Sequence, residues 1–230
     1  MSESQSKASV QGTGAFTYIK ITDLLNSYNF IASSYSFWSR LMYGNSLLAI
    51  QLLLIKELPH KGHLLILGGG IGQILPSIYN QSPNLKITFL EASSKMIALA
   101  KKQIPTGQNI TFIHSDSLES MKIECDYVYA SFFLDLFSPS HIKAIVKTIE
   151  NSQTHPVTWF IADFHLGPEV KYKLLRAFQV KLSILFFTIA TNHRQNFLPD
   201  VFEFCTKSRY KSLVTLYLKY GFLRAQVFKS

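Results

Sequence analysis

The sequence predicts an α/β fold built on a doubly wound, mostly parallel sheet. Short apolar segments of strand length alternate with segments of helix length along most of the 230-residue chain, a pattern typical of βαβ units with helices on both faces of a sheet. A turn rich in glycine follows the first strand, and acidic residues follow the second and third strands. These features come together at the carboxyl edge of the sheet, where such folds bind their ligands.

Three regions are predicted along the chain. Residues 1–20 are polar and rich in small residues, and we interpret them as a disordered tail without a signal-peptide core. Residues 21–60 carry apolar residues at three- and four-residue steps, which predicts an N-terminal helical cap with a break at Gly44 and an end before Pro59. Residues 61–230 hold the sheet domain.

Within the sheet domain, each strand is expected from a short run of apolar and β-branched residues. Five strands are predicted first, over residues 63–67, 86–90, 109–113, 126–131 and 157–162. Two of the helices between them have clear starting signals, the serines of SSKMIALAKKQ and the Ser138-Pro139 pair of SPSHIKAIVKTIEN. A long helix is predicted over residues 168–190 and a shorter one over residues 207–220, capped by Gly221 ahead of a sixth strand, FLRAQVFKS.

The composition excludes several classes of protein. Hydrophobic residues make up 47% of the chain, which supports a large core, yet no apolar run reaches the roughly 18 residues that span a bilayer. Cys125 and Cys205 lie far apart and the seven histidines are scattered, which argues against a zinc site or disulfide framework and for a cytoplasmic protein. The net charge of +9 is spread along the chain, so specific nucleic-acid binding is not favoured.

The glycine-rich turn GGGIG spans residues 68–72. Glycines there let the backbone approach a ligand closely, although a tight strand-to-helix connection with no ligand would also need them. The dinucleotide fingerprint GxGxxG would require glycine where Gln73 or Leu75 stands. The GxGxG spacing instead suits a nucleoside that has no pyrophosphate.

Two acidic residues extend this pattern along the same edge. Glu91 ends the second strand, where its carboxylate can accept hydrogen bonds from both hydroxyls of a ribose. Asp116 follows the third strand, where it can accept a hydrogen bond from an adenine amino group. The structural alternatives are a carboxylate that stabilises a helix N-terminus for Glu91 and a helix N-cap for Asp116.

On these residues the sequence resembles the class I S-adenosylmethionine-dependent methyltransferases of small molecules, which have a Rossmann-like sheet. The resemblance covers about residues 24–228. The N-terminal segment YNFIASSYSFWSRLMYG (28–44) is similar to the cap of the small-molecule members. In the sheet domain it is carried by LLILGGGIG (64–72), FLEASSKMIALAKK (89–102), FIHSDSLE (112–119), CDYVYASFFLDLF (125–137) and VTWFIADF (157–164).

The resemblance implies S-adenosyl-L-methionine as the cofactor and assigns nine residues to it. Three glycines would line its methionine and ribose parts, an acidic residue and its neighbour would hold the ribose, two residues after the third strand would contact the adenine, and two after the fourth strand would lie near the sulfonium. In that order they are Gly68, Gly70 and Gly72, Glu91 and Ala92, Asp116 and Ser117, and Ser131 and Phe132.

Two departures from the family pattern are visible. Many members carry an acidic residue two positions before the first glycine, where this chain has Ile66. Members usually finish with a seventh strand that pairs antiparallel, whereas the sequence reaches Ser230 directly after the sixth predicted strand. Either the sheet is one strand short or the C-terminal region is unusual.

The resemblance also implies a small-molecule methyl acceptor. The rate of methyl transfer to it would depend mostly on holding the two reactants in line. Asp135 and His165 are the candidate general bases, although Asp135 can equally cap a helix and His165 can simply contact backbone. Tyr28, Tyr35 and Phe133 are candidates for an apolar acceptor pocket, with core packing as the alternative. A small hydrophobic or aromatic acceptor is therefore expected.

Three other functions compete with this interpretation. A spermidine synthase-like aminopropyltransferase has the same fold. Such enzymes carry an acidic residue after the glycine turn, where this chain has Ile71, and an aspartate-rich motif after the fourth strand, where this chain has Ser131-Phe132-Phe133. A non-catalytic binding module on the same fold is compatible with Ile66. A dinucleotide-dependent oxidoreductase is disfavoured by Gln73 and Leu75.

Overall fold

The computed structural model describes residues 43–104, 108–115, 123–167, 170–172, 174–179, 181, 199–203 and 210–229. These residues form one seven-stranded sheet with the order β3-β2-β1-β4-β5-β7-β6. The strands are β1 (Lys61–Leu67), β2 (Asn84–Glu91), β3 (Ile110–His114), β4 (Tyr127–Ser131), β5 (Thr158–Phe164), β6 (Lys211–Leu218) and β7 (Leu223–Lys229). Four α-helices have both ends among the described residues: α1 (Ser46–Ile55), α2 (Leu75–Gln81), α3 (Ser94–Lys101) and α4 (Pro139–Asn151).

The first five strands run parallel, and their sequences explain why both faces of the sheet are covered. In β1, Leu64 and Ile66 pack in one hydrophobic cluster while Leu65 and Leu67 pack in another. A strand buried on both faces needs a continuous apolar run rather than alternation. The α/β class and the five parallel strands predicted from the sequence are confirmed.

Helices divide between the two faces. Apolar residues of α1 and α2 belong to the cluster on one face, which we call the α1 face, and those of α4 belong to the cluster on the other, which we call the α4 face. Two predicted caps are confirmed, since Ser93 accepts a hydrogen bond from Met96 N–H at 3.2 Å and Ser138 accepts one from His141 N–H at 3.4 Å. These caps fix where α3 and α4 begin.

The predicted helix over residues 207–220 is wrong, and the sheet is not one strand short. Residues Lys211–Leu218 form the edge strand β6, which pairs antiparallel with β7. Alternate residues Val214, Leu216 and Leu218 pack against the α1 face, which is the two-residue period of a strand. Gly221, at φ +88°, lies in the β6–β7 hairpin turn instead of ending a helix.

Other predictions fall partly outside the described residues. A long helix is predicted over residues 168–190, and residues 174–179 of that range are helical. Most of the other residues of the range lie outside the described residues. The predicted tail and residues 21–42 of the predicted cap also lie outside the described residues. The helix α1, which falls within the range predicted for the cap, packs on β5, β6 and β7. Among the residues with described placement, no helix has the length and apolarity needed to cross a membrane.

The alternation in β6 leads to a test by substitution. Leu216→Ala removes a side chain that packs on the core, so we expect the free energy of unfolding to fall by about 1–2 kcal/mol. Thr215→Ala, on the exposed side of the same strand, should change it by less than about 0.5 kcal/mol. Urea unfolding of both variants measures the difference, and equal losses would contradict the strand.

Candidate active site

The candidate site lies at the carboxyl edge of the sheet, around β1 and its neighbours. β1 pairs with β2 on one side and with β4 on the other. The chain after β1 leads into α2 on the α1 face, while the chain after β4 leads into α4 on the opposite face. Connections that leave in opposite directions open a crevice, which is where doubly wound sheets bind ligands.

The glycines after β1 differ in what surrounds them. A Cβ at Gly68 would collide with the Phe133 ring, and one at Gly72 would lie 2.7 Å from Ala100 Cβ on α3. At Gly70, which has φ +58°, a Cβ would meet nothing within 4 Å. Gly72 therefore allows α3 to pack closely, whereas Gly70 presents bare backbone to open space.

Glu91, at the end of β2, ties this turn to the neighbouring strand. Its Oε2 accepts a hydrogen bond from Gly70 N–H at 2.9 Å, and its Oε1 accepts bonds from Ala92 N–H and Ser93 N–H, both at 2.9 Å. Burial raises the pKa of the Glu91 carboxyl, and the three N–H donors together with His114 oppose that shift. The side chain is only 7% exposed.

The number of acceptor positions on Glu91 limits what else it can bind. A carboxylate offers about four lone-pair sites, and the three backbone N–H donors already use both sites of Oε1 and one of Oε2. One site remains on Oε2, beside Gly70. Glu91 can therefore accept one further hydroxyl as it stands, and the two-hydroxyl contact expected from the sequence requires a backbone N–H to be released.

The residues after β4 are held by an unusual backbone conformation. Phe132 has φ +49°, and its N–H donates to the carbonyl of Ala162 on β5 at 2.8 Å. This conformation sends adjacent rings to opposite faces, since Phe132 packs on the α1 face and Phe133 on the α4 face. Ser131 ends β4 immediately before them.

An aromatic cluster surrounds the Phe132 ring. Phe164 lies 5.1 Å from Phe132 and 5.1 Å from Tyr43, and Phe222 lies 5.3 Å from Phe164, between ring centroids. Phe133, on the other side, packs 5.0 Å from Phe137 and against Gly68. The edge after β4 is thus walled by aromatic rings.

Asp135 is placed next to a second carboxyl, Asp163. Asp135 lies in the 3-10 turn Leu134–Leu136 after β4, and burial raises its pKa to about 7. Asp163, near the end of β5, has no exposed surface, and burial together with the charge of Asp135 raises its pKa well above the usual range. In the sequence Asp163 stands two residues before His165.

His165 lies beyond the end of β5 and is 6% exposed. Its ring packs edge-on at 5.9 Å from Phe202 and at 6.3 Å from Tyr217, and its backbone N–H donates to Phe222 O at 2.8 Å. These contacts place His165 on the β7–β6 side of the sheet.

Comparison with known proteins identifies the fold. The methyltransferase-domain family matches residues 64–153, a range that begins in β1 and extends just beyond α4. The fold is that of the class I methyltransferases. No curated protein matches the chain by sequence.

Three solved structures illustrate the methyltransferase fold. CalO1, a methyltransferase in calicheamicin biosynthesis in its SAH-bound form, has a TM-score of 0.58 and 15% identity over 87% of this chain and 59% of CalO1. The mitomycin 7-O-methyltransferase MmcR has a TM-score of 0.62 and 14% identity over 86% of this chain and 59% of MmcR. A DhpI–SAM–HEP complex has a TM-score of 0.60 and 17% identity over 94% of this chain and 99% of DhpI. The chain therefore spans less than two thirds of CalO1 and MmcR.

The methyltransferase fold implies S-adenosyl-L-methionine, and the residues present fit it. Gly70 supplies an open backbone cradle that any Cβ would narrow, and Glu91 presents an acceptor oxygen beside it. Ile66 is 1% exposed and packs in the core, so it offers no charge to the amine of a methionine group.

Several predicted residues are not placed at this edge by the structure. Asp116, Ser117, Tyr28 and Tyr35 lie outside the described residues, so their assignments to adenine and acceptor stay predictions.

Sequence reasoning missed His114, which ends β3 opposite Glu91 in the sheet register. One of its ring nitrogens lies 3.0 Å from the carbonyl oxygen of Ala92. Its position in FIHSDS, directly at the end of the third predicted strand, would have indicated that it lies at the carboxyl edge.

The different surroundings of Gly72 and Gly70 predict different costs of substitution. Gly72→Ala should lower the free energy of unfolding by about 2–4 kcal/mol, because it adds overpacking against Ala100 to the strain of a positive φ. Gly70→Ala should cost only the backbone strain, about 1–2 kcal/mol. Urea unfolding followed by tryptophan fluorescence measures both, and a larger loss for Gly70→Ala would contradict this geometry.

Proposed function

We propose that this protein is an S-adenosyl-L-methionine-dependent methyltransferase that acts on a small hydrophobic or aromatic acceptor. The observation that carries the proposal is the pairing of Gly70 with Glu91 at the carboxyl edge. The backbone of Gly70 faces open space and lies beside the buried Glu91 carboxylate, which has one hydrogen-bond acceptor site left. That combination suits a nucleoside whose ribose hydroxyl donates to the carboxylate.

Each residue of the edge has a binding role under this proposal. When bound, S-adenosyl-L-methionine supplies a methyl group on a sulfonium sulfur, which is a good leaving group. Glu91 orients the ribose, and Gly68, Gly70 and Gly72 shape the turn that the methionine part follows. Because the leaving group is good, most of the acceleration comes from holding the reactants in line.

The acceptor class follows from the aromatic rings after β4. Phe132 and Phe164 wall one side of the edge and Phe133 the other. Aromatic walls exclude water and bind flat apolar molecules. The methyltransferase of calicheamicin biosynthesis and the mitomycin 7-O-methyltransferase share the fold, which supports an acceptor of metabolite size rather than a nucleic acid.

The location that accompanies this proposal is the cytoplasm. Cys125 is buried and not in a disulfide, which supports a reducing compartment. S-adenosyl-L-methionine as a methyl donor is compatible with that compartment.

A calorimetric titration with S-adenosylhomocysteine tests the proposed cofactor. We expect micromolar binding by the unmodified protein, and at least a tenfold loss in Glu91→Ala, because the ribose loses its acceptor and three N–H groups lose theirs. Gly70→Ala should also weaken binding at least tenfold, since its methyl group enters the open cradle. Glu57→Ala, an exposed carboxyl after α1, is the matched control and should bind normally.

Decarboxylated S-adenosylmethionine and NADH distinguish the competing functions in the same experiment. Tighter binding of the decarboxylated compound would favour aminopropyl transfer, and tighter binding of NADH would favour an oxidoreductase. Binding of none of the three would contradict the proposed function.

A further inference from the structure

A short helix near the carboxyl edge exposes its apolar side. Leu174, Leu175 and Phe178 are 89%, 54% and 63% exposed, and their spacing of three and four residues puts them on one side of the helical residues 174–179. Arg176, a charged residue of the same helix, is instead half-buried. A surface helix normally turns its apolar stripe towards the core, and a group of exposed apolar side chains marks an interaction surface.

Two exposed tyrosines continue this stripe onto the β6–β7 turn. Tyr172, ahead of the helix, is 65% exposed and Tyr220, in the turn, is 61% exposed, and their ring centroids lie 5.8 Å apart. The backbone N–H of Lys171 also donates to Tyr220 O at 3.1 Å, so the helical segment and the turn are held side by side. We call these apolar side chains together the exposed apolar face: Tyr172, Leu174, Leu175, Phe178 and Tyr220.

The backbone of the turn carries large side chains where small ones are usual. Lys219, Tyr220 and Gly221 have φ angles of +51°, +57° and +88°. Glycine, asparagine and aspartate adopt such angles with the least strain and dominate hairpin turns. Because the side chains of Lys219 and Tyr220 are both exposed, packing in the core does not account for their presence in this turn.

The charges around the exposed apolar face have one sign. Lys171 and Lys219 adjoin its two tyrosines in the chain, Lys181 lies further along the helix, and all three side chains are exposed. Neither residues 170–181 nor residues 210–229 contain an aspartate or glutamate. The face therefore attracts an anionic partner, and its lysines can lay their apolar stems on a surface while the ammonium groups reach an anion.

The exposed apolar face lies at the carboxyl edge of the sheet. β6 runs antiparallel to β7, which runs antiparallel to β5, so the β6–β7 turn lies at the same edge as the end of β5. Arg176 connects the face to the aromatic cluster of the candidate site, since its guanidinium lies 5.4 Å from the Phe222 ring centroid and Phe222 lies 5.3 Å from Phe164. A partner bound to the face would lie next to that cluster.

We propose that the exposed apolar face docks the protein on the surface of an anionic phospholipid bilayer. Leu174, Leu175 and Phe178 enter the boundary between headgroups and acyl chains, the two tyrosines lie at headgroup level and the lysines bind lipid phosphates. A nucleic acid would match the charge, but its bases stack on aromatic rings and leave the exposed leucines in water. The docking goes beyond the proposed function and does not depend on it.

Sedimentation with lipid vesicles tests the docking. The unmodified protein should sediment with vesicles of equal parts phosphatidylcholine and phosphatidylglycerol, and its affinity for vesicles of phosphatidylcholine alone should be at least tenfold lower, because the attraction of the lysines is lost. Added salt should weaken binding to the mixed vesicles, since it screens the same attraction. Absence of binding to the mixed vesicles at low salt would overturn the proposal.

Substitutions separate the apolar from the electrostatic contribution. Leu174→Ser combined with Phe178→Ser should lower the affinity for mixed vesicles at least tenfold, because the apolar area that enters the lipid is lost. Lys171→Gln should lower it about fivefold, the contribution of one basic residue near an anionic surface. Leu213→Ser and Lys56→Gln are the matched controls and should bind normally, since both residues are exposed but lie near the amino edge of the sheet.

Tryptophan fluorescence identifies the part of the chain that meets the lipid. In Phe178→Trp, mixed vesicles should shift the added emission to shorter wavelengths, and phospholipids brominated on their acyl chains should quench it. Leu213→Trp, with its tryptophan on an exposed strand position away from the turn, should show neither effect. Equal responses of the two variants, or a response of Leu213→Trp alone, would overturn the proposal.

Urea unfolding and gel filtration test the other occupants of the face. The double variant of Leu174 and Phe178 should keep the urea midpoint and elution volume of the unmodified protein. A lower midpoint would show that the chain itself or a second copy covers the face, and a later elution would show the second copy. Either result would overturn the proposal, as would binding to single-stranded RNA without binding to vesicles.

Failures of the two proposals are distinguishable. The titration with S-adenosylhomocysteine contains no lipid, and the double variant should bind that compound as the unmodified protein does. Absence of S-adenosylhomocysteine binding by the unmodified protein would contradict the proposed function, and its sedimentation with mixed vesicles would be unaffected.

Discussion

The hydrogen bond from Gly70 N–H to Glu91 Oε2, 2.9 Å long, sets the geometry on which the candidate site depends. It fastens the turn after β1 to the end of β2, and Glu91 extends the connection to Ala92 and Ser93 at the start of α3. Ser93 in turn caps α3. One buried carboxylate thus positions a strand end, a glycine turn and a helix N-terminus relative to one another.

Much of this arrangement could be predicted from the sequence because its signals are local. The glycine spacing, the acidic end of β2 and the capping serines each depend on a few adjacent residues. β6 could not be predicted in the same way, because KSLVTLYLKY also has apolar residues at helical spacing and its two-residue period becomes decisive only once β7 is there to pair with it. Tertiary pairing decided between two local possibilities.

The carboxyl pair shows a different limit of sequence reasoning. Asp135 and Asp163 are separated by a whole helix and a strand, so nothing in the spacing of SFFLDLF and IADFH indicates that they meet. Burial and the distance between charges control the chemistry of carboxyls, and both are properties of the folded chain. His165, the other general base that the sequence predicts, has its ring edge-on to that of Phe202, and its role stays a prediction.

The position of β7 has a consequence for how the protein is made. β7 lies between β5 and β6 in the sheet although it follows both in the chain. During synthesis, β6 cannot pair with β7 until residues 223–229 have left the ribosome. The helix α1 is synthesised much earlier, but it cannot pack on β6 and β7 until those strands are made. Such long-range pairing is slow and leaves apolar strand edges uncovered, so we expect the β6–β7 hairpin to form late in folding.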